Sequence, residues 1–124
     1  MSRRIRIIAG ELLVEAELNE TATATLIWNV LPMTGSANLW GDEIYFSVPV
    51  DSSLDESASE VVEVGQLGYW PPGRAFCIFF GLTPVSKPGE IRPASAVNVV
   101  GRVNDDPRLF KTVVAGTSVT IEKR

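Results

Sequence analysis

The sequence predicts a mainly β fold, a barrel or sandwich of about eight short strands with one α-helix covering an opening. Three observations carry that prediction. Residues 3–18 hold two stretches of period-two alternation joined at Gly10-Glu11, the pattern of a β-hairpin. Ala75-Phe76-Cys77-Ile78-Phe79-Phe80 is an unbroken apolar run, the mark of a strand buried on both faces. One amphipathic helical stretch, about 20–31, stands among them.

Taken in order, Arg4 and Arg6 alternate with Ile5 and Ile7 over 3–9. In 12–18, Leu12, Val14, Ala16 and Leu18 face one way, and Leu13, Glu15 and Glu17 the other. Asn19 suits the helix N-cap, with Glu20 in the first turn. Ala22, Leu26 and Val30, with Ile27 and Leu31, give the helix its apolar stripe, and Pro32 stops it. Thr21, Thr23 and Thr25 weaken its propensity, so packing must hold it. Residues 33–38 read as a loop, Leu39 to Asp42 as a short strand or turn, and Glu43 to Val48 as a strand ended by Pro49. Residues 51–60 are polar and acidic and read as a solvated, mobile loop. Val61 to Val64 resumes a strand, followed by 65–70, and Pro71-Pro72-Gly73 is a rigid turn. A long Pro-containing loop, 81–95, leads to a buried strand from Ala96 to Val103. Leu109 to Val114 reads as a strand or helical turn, and Ser118 to Glu122 closes the chain as a strand.

Composition narrows the chemistry. The 124 residues suffice for one domain, 1–124, with a core that needs neither disulfides nor metals. With no histidine there is no Ser/His or Cys/His couple and no His-ligated zinc. The lone Cys77 excludes an intramolecular disulfide and a multi-Cys metal site, so neither metal nor cofactor is expected. The apolar runs fall short of the ~20 residues that span a bilayer, and no membrane partner is expected. The N-terminal stretch is positive and then apolar, but Arg6 interrupts it and Gly10 ends it, too soon for a secretory segment. A cytoplasmic location is the expectation.

The net charge of −4 argues against a nucleic-acid partner. Residues 1–63 hold eleven acids and three bases, whereas 64–124 hold four acids and eight bases. Either opposite charges meet across one fold, or a cleft has positive walls near Arg74 and Arg92.

Several segments resemble the cyclophilins. A β-hairpin followed at once by a helix is how a cyclophilin begins. Gly65-Gln66-Leu67-Gly68-Tyr69-Trp70, a Gly-bearing turn and Ala75-Phe76-Cys77-Ile78 resemble that family's Gly-x-Leu, loop and Gly-Ser-Gln-Phe-Phe-Ile. Val99-Val100-Gly101-Arg102-Val103 resembles its Val-Val-Phe-Gly-Arg/Lys-Val strand. A small prokaryotic cyclophilin-like family of uncharacterised function is more similar still. Its signatures resemble Trp40-Gly41-Asp42-Glu43-Ile44-Tyr45-Phe46, the stretch Tyr69 to Gly81, Thr83-Pro84-x-Ser86 and Ile91-Arg92-Pro93-Ala94-Ser95. The resemblance covers nearly the whole chain and implies a closed cyclophilin-like β-barrel with one main helix.

The resemblance does not carry over the prolyl isomerase residues. The strand matching the one that holds the cyclophilin arginine is Glu43 to Val48, which has neither Arg nor Gln. The family's Gln falls on Ala75 and its pocket-floor Phe on Cys77, while its loop Trp and His fall near Arg92 and Val97. Catalytic residues therefore stay unassigned.

The ligand-binding candidates are Trp40, Glu43, Tyr45, Tyr69, Trp70, Arg74, Arg92 and Ser95. At a pocket mouth Tyr69 and Trp70 form a stacking platform with Trp40 and Tyr45; otherwise they are core. Arg74 and Arg92 serve as surface ion-pair partners, or together hold a carboxylate. Asp42 and Glu43 sit on opposite sides of a strand and do not make a shared acid/base pair. Cys77, inside an apolar run, reads as an inert buried thiol. Ser86 and Ser95, with no His to activate them, read as loop hydrogen-bonding groups.

The expected role is recognition of a small acidic molecule or an extended peptide. The groove would lie between Trp40–Tyr45, Tyr69–Arg74 and the Arg92 loop. The alternatives are an atypical prolyl isomerase using Arg74 or Arg92, a subunit-like lobe acting with a protein partner, and a homodimer through an edge strand such as 3–9.

Overall fold

The computed structural model describes residues 3–124; Met1 and Ser2 of the N-terminal stretch lie outside the described residues. Its elements are β1 (Arg3–Ala9), β2 (Leu12–Leu18), α1 (Ala22–Val30), β3 (Met33–Ser36), β4 (Asn38–Leu39), β5 (Glu43–Ser47) and β6 (Ala58–Ser59). There follow β7 (Gln66–Trp70), β8 (Ala75–Phe79), β9 (Val97–Val103) and β10 (Ser118–Lys123). All the strand pairings are antiparallel. The order is β3-β10-β1-β2-β9-β7-β8-β5-β4, with β6 on β9.

The two ends of that order are neighbours in sequence. Only Ala37 separates β3 from β4, so the extended segment 33–39 bonds β10 with its first half and β5 with its second. It thereby joins the sheet's ends into a nearly closed barrel. Gly35 sits where this seam crosses β5, and a Cβ there would run into the Phe46 ring. The segment was expected to be a loop. Its small and polar residues hide a role set by pairing on both ends.

Strand alternation sorts the barrel's faces. Ile5, Ile7, Val14, Ala16, Ile44, Phe46, Leu67, Phe76, Ile78 and Ile121 point inward and form the main core. A second apolar cluster lies on the outer face of the β9-β7-β8-β5 portion, built from Ala75, Cys77, Phe79, Val97, Val62 and Ile91. Hence β8 is apolar on both faces, as its sequence predicts. The 81–95 segment lies over this outer face. Ser86 Oγ accepts from Thr83 N at 2.9 Å and Arg92 N at 3.0 Å, and the Thr83 hydroxyl donates to the Arg92 carbonyl.

Other expectations are corrected. Thr21, not Asn19, caps α1, its side chain accepting from Ala24 N. Asn19 is instead held to β9, its Nδ2 donating to Val99 O at 2.8 Å. The helix therefore starts after Glu20, and the Asp55 carboxylate, not Glu20, accepts from the first-turn Thr23 N at 3.2 Å. The buried stripe is Thr23, Ala24 and Ile27, while Ala22, Leu26 and Val30 face solvent. Residues 61–64 are no strand; Val62 makes a single bridge to Ile91. Of the two readings of Leu109 to Val114, the helical turn holds, as a 3-10 helix over Pro107–Thr112. β1 is no edge, being paired with β10 and β2, so an edge-to-edge dimer through 3–9 has no free strand to use.

Residues 51–60 were expected to be solvated, and the structure ties them down. Asn98, fully buried, accepts from Asp55 N at 2.8 Å and donates to Thr23 Oγ1 at 2.8 Å and Ser53 O at 2.9 Å. Thr23 Oγ1 also donates to Asp55 at 2.8 Å. This network stitches the loop to α1 and β9, which is why a threonine occupies the helix's buried face. Replacing Asn98 with alanine strands several of its partners and is expected to cost about 2 kcal/mol, read as a lower denaturant midpoint.

Candidate functional site

On β5 the inward residues are Ile44 and Phe46, leaving Glu43 and Tyr45 on the outer face. Tyr45 lies opposite Cys77 of β8, and Glu43 opposite Phe79. The tight turn before β5 sets a third side chain beside them. Trp40 and Glu43 exchange backbone hydrogen bonds, Trp40 N to Glu43 O at 3.0 Å and Glu43 N to Trp40 O at 3.2 Å, around Gly41 with φ +59°. Residues paired in this way present their side chains on one face. Trp70, at the end of β7, completes the set. Its indole Nε1 donates to Ser95 Oγ at 2.7 Å, and its ring lies against Gly73, where a Cβ would approach to 2.9 Å.

These side chains line a pocket of about 250 Å³. Trp40, Tyr45 and Trp70 are its aromatic members, Glu43, Val97 and Pro93 its buried ones, and Pro93 and Ala94 border it from the 81–95 segment. Glu43 is only 6 % exposed. Burial pushes its carboxyl up to about 7 against a slight downward pull from the Cys77 thiol. Among the described residues, no lysine or arginine forms an ion pair with it. Burial and the adjacent Glu43 push the Cys77 thiol well above its ordinary range, so it stays protonated, in keeping with an inert thiol.

The adjacent carboxylates diverge as alternation requires. Asp42 reaches Lys111 at 3.5 Å, away from the pocket. Tyr69 belongs to the core, its hydroxyl donating to Val50 O at 2.6 Å and accepting from Ser52 N at 3.3 Å. It is therefore no part of the stacking platform. Arg74 follows the 3-10 turn Pro71–Gly73, exposed and 4.0 Å from Asp51. Arg92 pairs with Glu90 at 2.8 Å in a neighbouring cleft that also holds Ser95 and shares Pro93 and Ala94. The two arginines have separate acidic partners and build no common positive wall. The structure thus joins Trp40, Glu43, Tyr45 and Trp70, sets Ser95 and Arg92 beside them, and leaves Tyr69 and Arg74 out. Pro93, Ala94 and Val97 were not among the candidates, because an isolated Pro or Val carries no binding signature.

No helix among the described residues is long and apolar enough to cross a membrane. The sequence pattern of the family described as Cyclophilin-like matches residues 3–122. The solution structure of a hypothetical protein from Archaeoglobus fulgidus is similar, with 43 % identity and a TM-score of 0.82, over 99 % of this chain and 95 % of that one. No curated protein matches the chain.

Proposed function

The chain belongs to the cyclophilin-like family, and from that premise we propose that it binds an extended peptide, seating one residue of it in the pocket between Trp40, Tyr45 and Trp70. One observation supports this above the rest: an aromatic-lined concavity of about 250 Å³ is held open on the barrel's outer face. Pockets of that kind, apolar with few polar groups, are typical ligand sites. The polar group here is a carboxyl, Glu43, and the nearby arginines are engaged elsewhere. That chemistry favours a peptide over a small acidic molecule, which Glu43 would repel. Among the described residues that line the pocket there is also no cation for a prolyl nitrogen, so binding without isomerisation is the proposed activity.

The test is a titration of ¹⁵N-labelled protein with a short Ala-Pro-containing peptide whose amino terminus is free. The expected result is shifts at the amides of Trp40, Glu43 and Val97 and at the Trp70 indole N–H, with unchanged cis/trans exchange. Faster exchange, lost in Arg92→Ala, would replace this reading with an isomerase. An absence of shifts at millimolar peptide would overturn it.

A further inference from the structure

Resting on the reading of this pocket as a binding site, we infer that the group it takes is an alkylammonium, the protonated amine at a peptide's amino terminus. Two independent features of the pocket converge on that chemistry. The first is Glu43. It is almost fully buried, it borders the cavity, and no cation among the described residues is paired with it. Buried carboxylates are paired with a cation or hydrogen-bonded, because an isolated charge in apolar surroundings is strongly disfavoured. A carboxyl left beside open space with no cation, and only the neutral Cys77 thiol against it, is complementary to a cation brought by a ligand.

The second feature is the aromatic lining. Trp40, Tyr45 and Trp70 surround the same cavity, and aromatic faces attract ammonium groups through the ring quadrupole. Trp70 is held in place by Ser95 and seated on Gly73, so its ring does not have to be ordered on binding. Nothing in the lining opposes a cation. The titratable groups facing Glu43 are Cys77 from β8 and Tyr45 from its own strand, and Pro93, Ala94 and Val97 bring no charge. A bound ammonium stabilises the ionised carboxylate, so a Glu43 that burial has left partly protonated near pH 7 releases its proton on binding.

The experiment compares three probes at pH 7 by calorimetry: the free-amine peptide, its N-acetylated counterpart, and choline. The expected result is at least tenfold tighter binding of the free-amine peptide than of the acetylated one, with a fraction of a proton, roughly half, released per peptide bound, read from the buffer dependence of the heat. In Glu43→Gln the preference and the proton release disappear. Equal binding of both peptides would overturn the ammonium inference while leaving peptide recognition intact. Failure of all three probes would overturn both. Choline binding as tightly as the free-amine peptide would keep the ammonium site but overturn the peptide terminus as its source, in favour of a small amine.

Discussion

Replacing Glu43 with glutamine is expected to raise the melting temperature at pH 8 by roughly 10 °C and to leave it nearly unchanged at pH 4. The sign follows from the raised carboxyl. Below its ordinary value of 4.5, Glu43 is protonated in both the folded and unfolded states, and its burial carries no charge penalty. Between 4.5 and about 7 the unfolded chain ionises and the folded one does not, so stability falls as pH rises. Above 7 both are ionised and the full penalty, about 3 kcal/mol, remains. Glutamine keeps the shape and removes the charge, so the variant lacks this loss. Asp55 acts at the other end of the scale. Burial raises it, but hydrogen bonds from Ser57 and Thr23 outweigh that and hold it below its ordinary value. Its contribution is present above pH 3.8 and is lost as pH falls. Thermal scans of both proteins from pH 3 to 8 check the account. Parallel curves for the two would contradict it.

Gly101→Ala is expected to destabilise the protein by about 3 kcal/mol, lowering the urea midpoint sharply at neutral pH. Gly101 lies in β9 where β2 crosses closely, paired with Leu18 on one side and Leu67 on the other. A Cβ there would collide with the Glu17 carbonyl oxygen and come within 3.0 Å of the Leu18 Cα. Both are backbone atoms, so no side chain can swing aside, and the β2–β9 ladder must part. The same substitution at Gly116, where a Cβ meets nothing within 4 Å, isolates the effect. There only the backbone φ of +90° disfavours alanine, and a smaller loss is expected. Equal losses at the two sites would contradict the close approach.

Much of the fold was legible because burial follows local pattern. The alternation of Ile5, Ile7, Val14 and Ala16 predicted the hairpin, and the run Ala75–Phe80 predicted a strand covered on both sides. What escaped was set by partners distant in sequence. The seam 33–39 has no apolar rhythm, because its strand character comes from β10 and β5. The helix turns Thr23 inward since Asp55 and Asn98 satisfy its hydroxyl, whereas the i, i+4 spacing of apolar residues favoured Leu26. At the site, Trp40, Glu43, Tyr45 and Trp70 were identifiable from the segments that hold them. Tyr69 was not separable from Trp70 by sequence, because one step along a strand moves a side chain from the core to the outer face. Arg74 and Arg92 promised a positive cleft that Asp51 and Glu90 neutralise one by one. The pairing of a buried carboxyl with three aromatic rings emerged only from the register of β5 on β8 and the turn at Gly41.

Everything proposed for the pocket depends on Glu43 being held out of water beside those rings. The most direct measurement is a ¹³C titration of the Glu43 side-chain carboxyl by NMR, assigned by comparison with Glu43→Gln. A midpoint near 7, falling when the free-amine peptide is added, is the predicted result. A midpoint near 4.5, unmoved by the peptide, would show a solvated carboxylate and contradict the site as described.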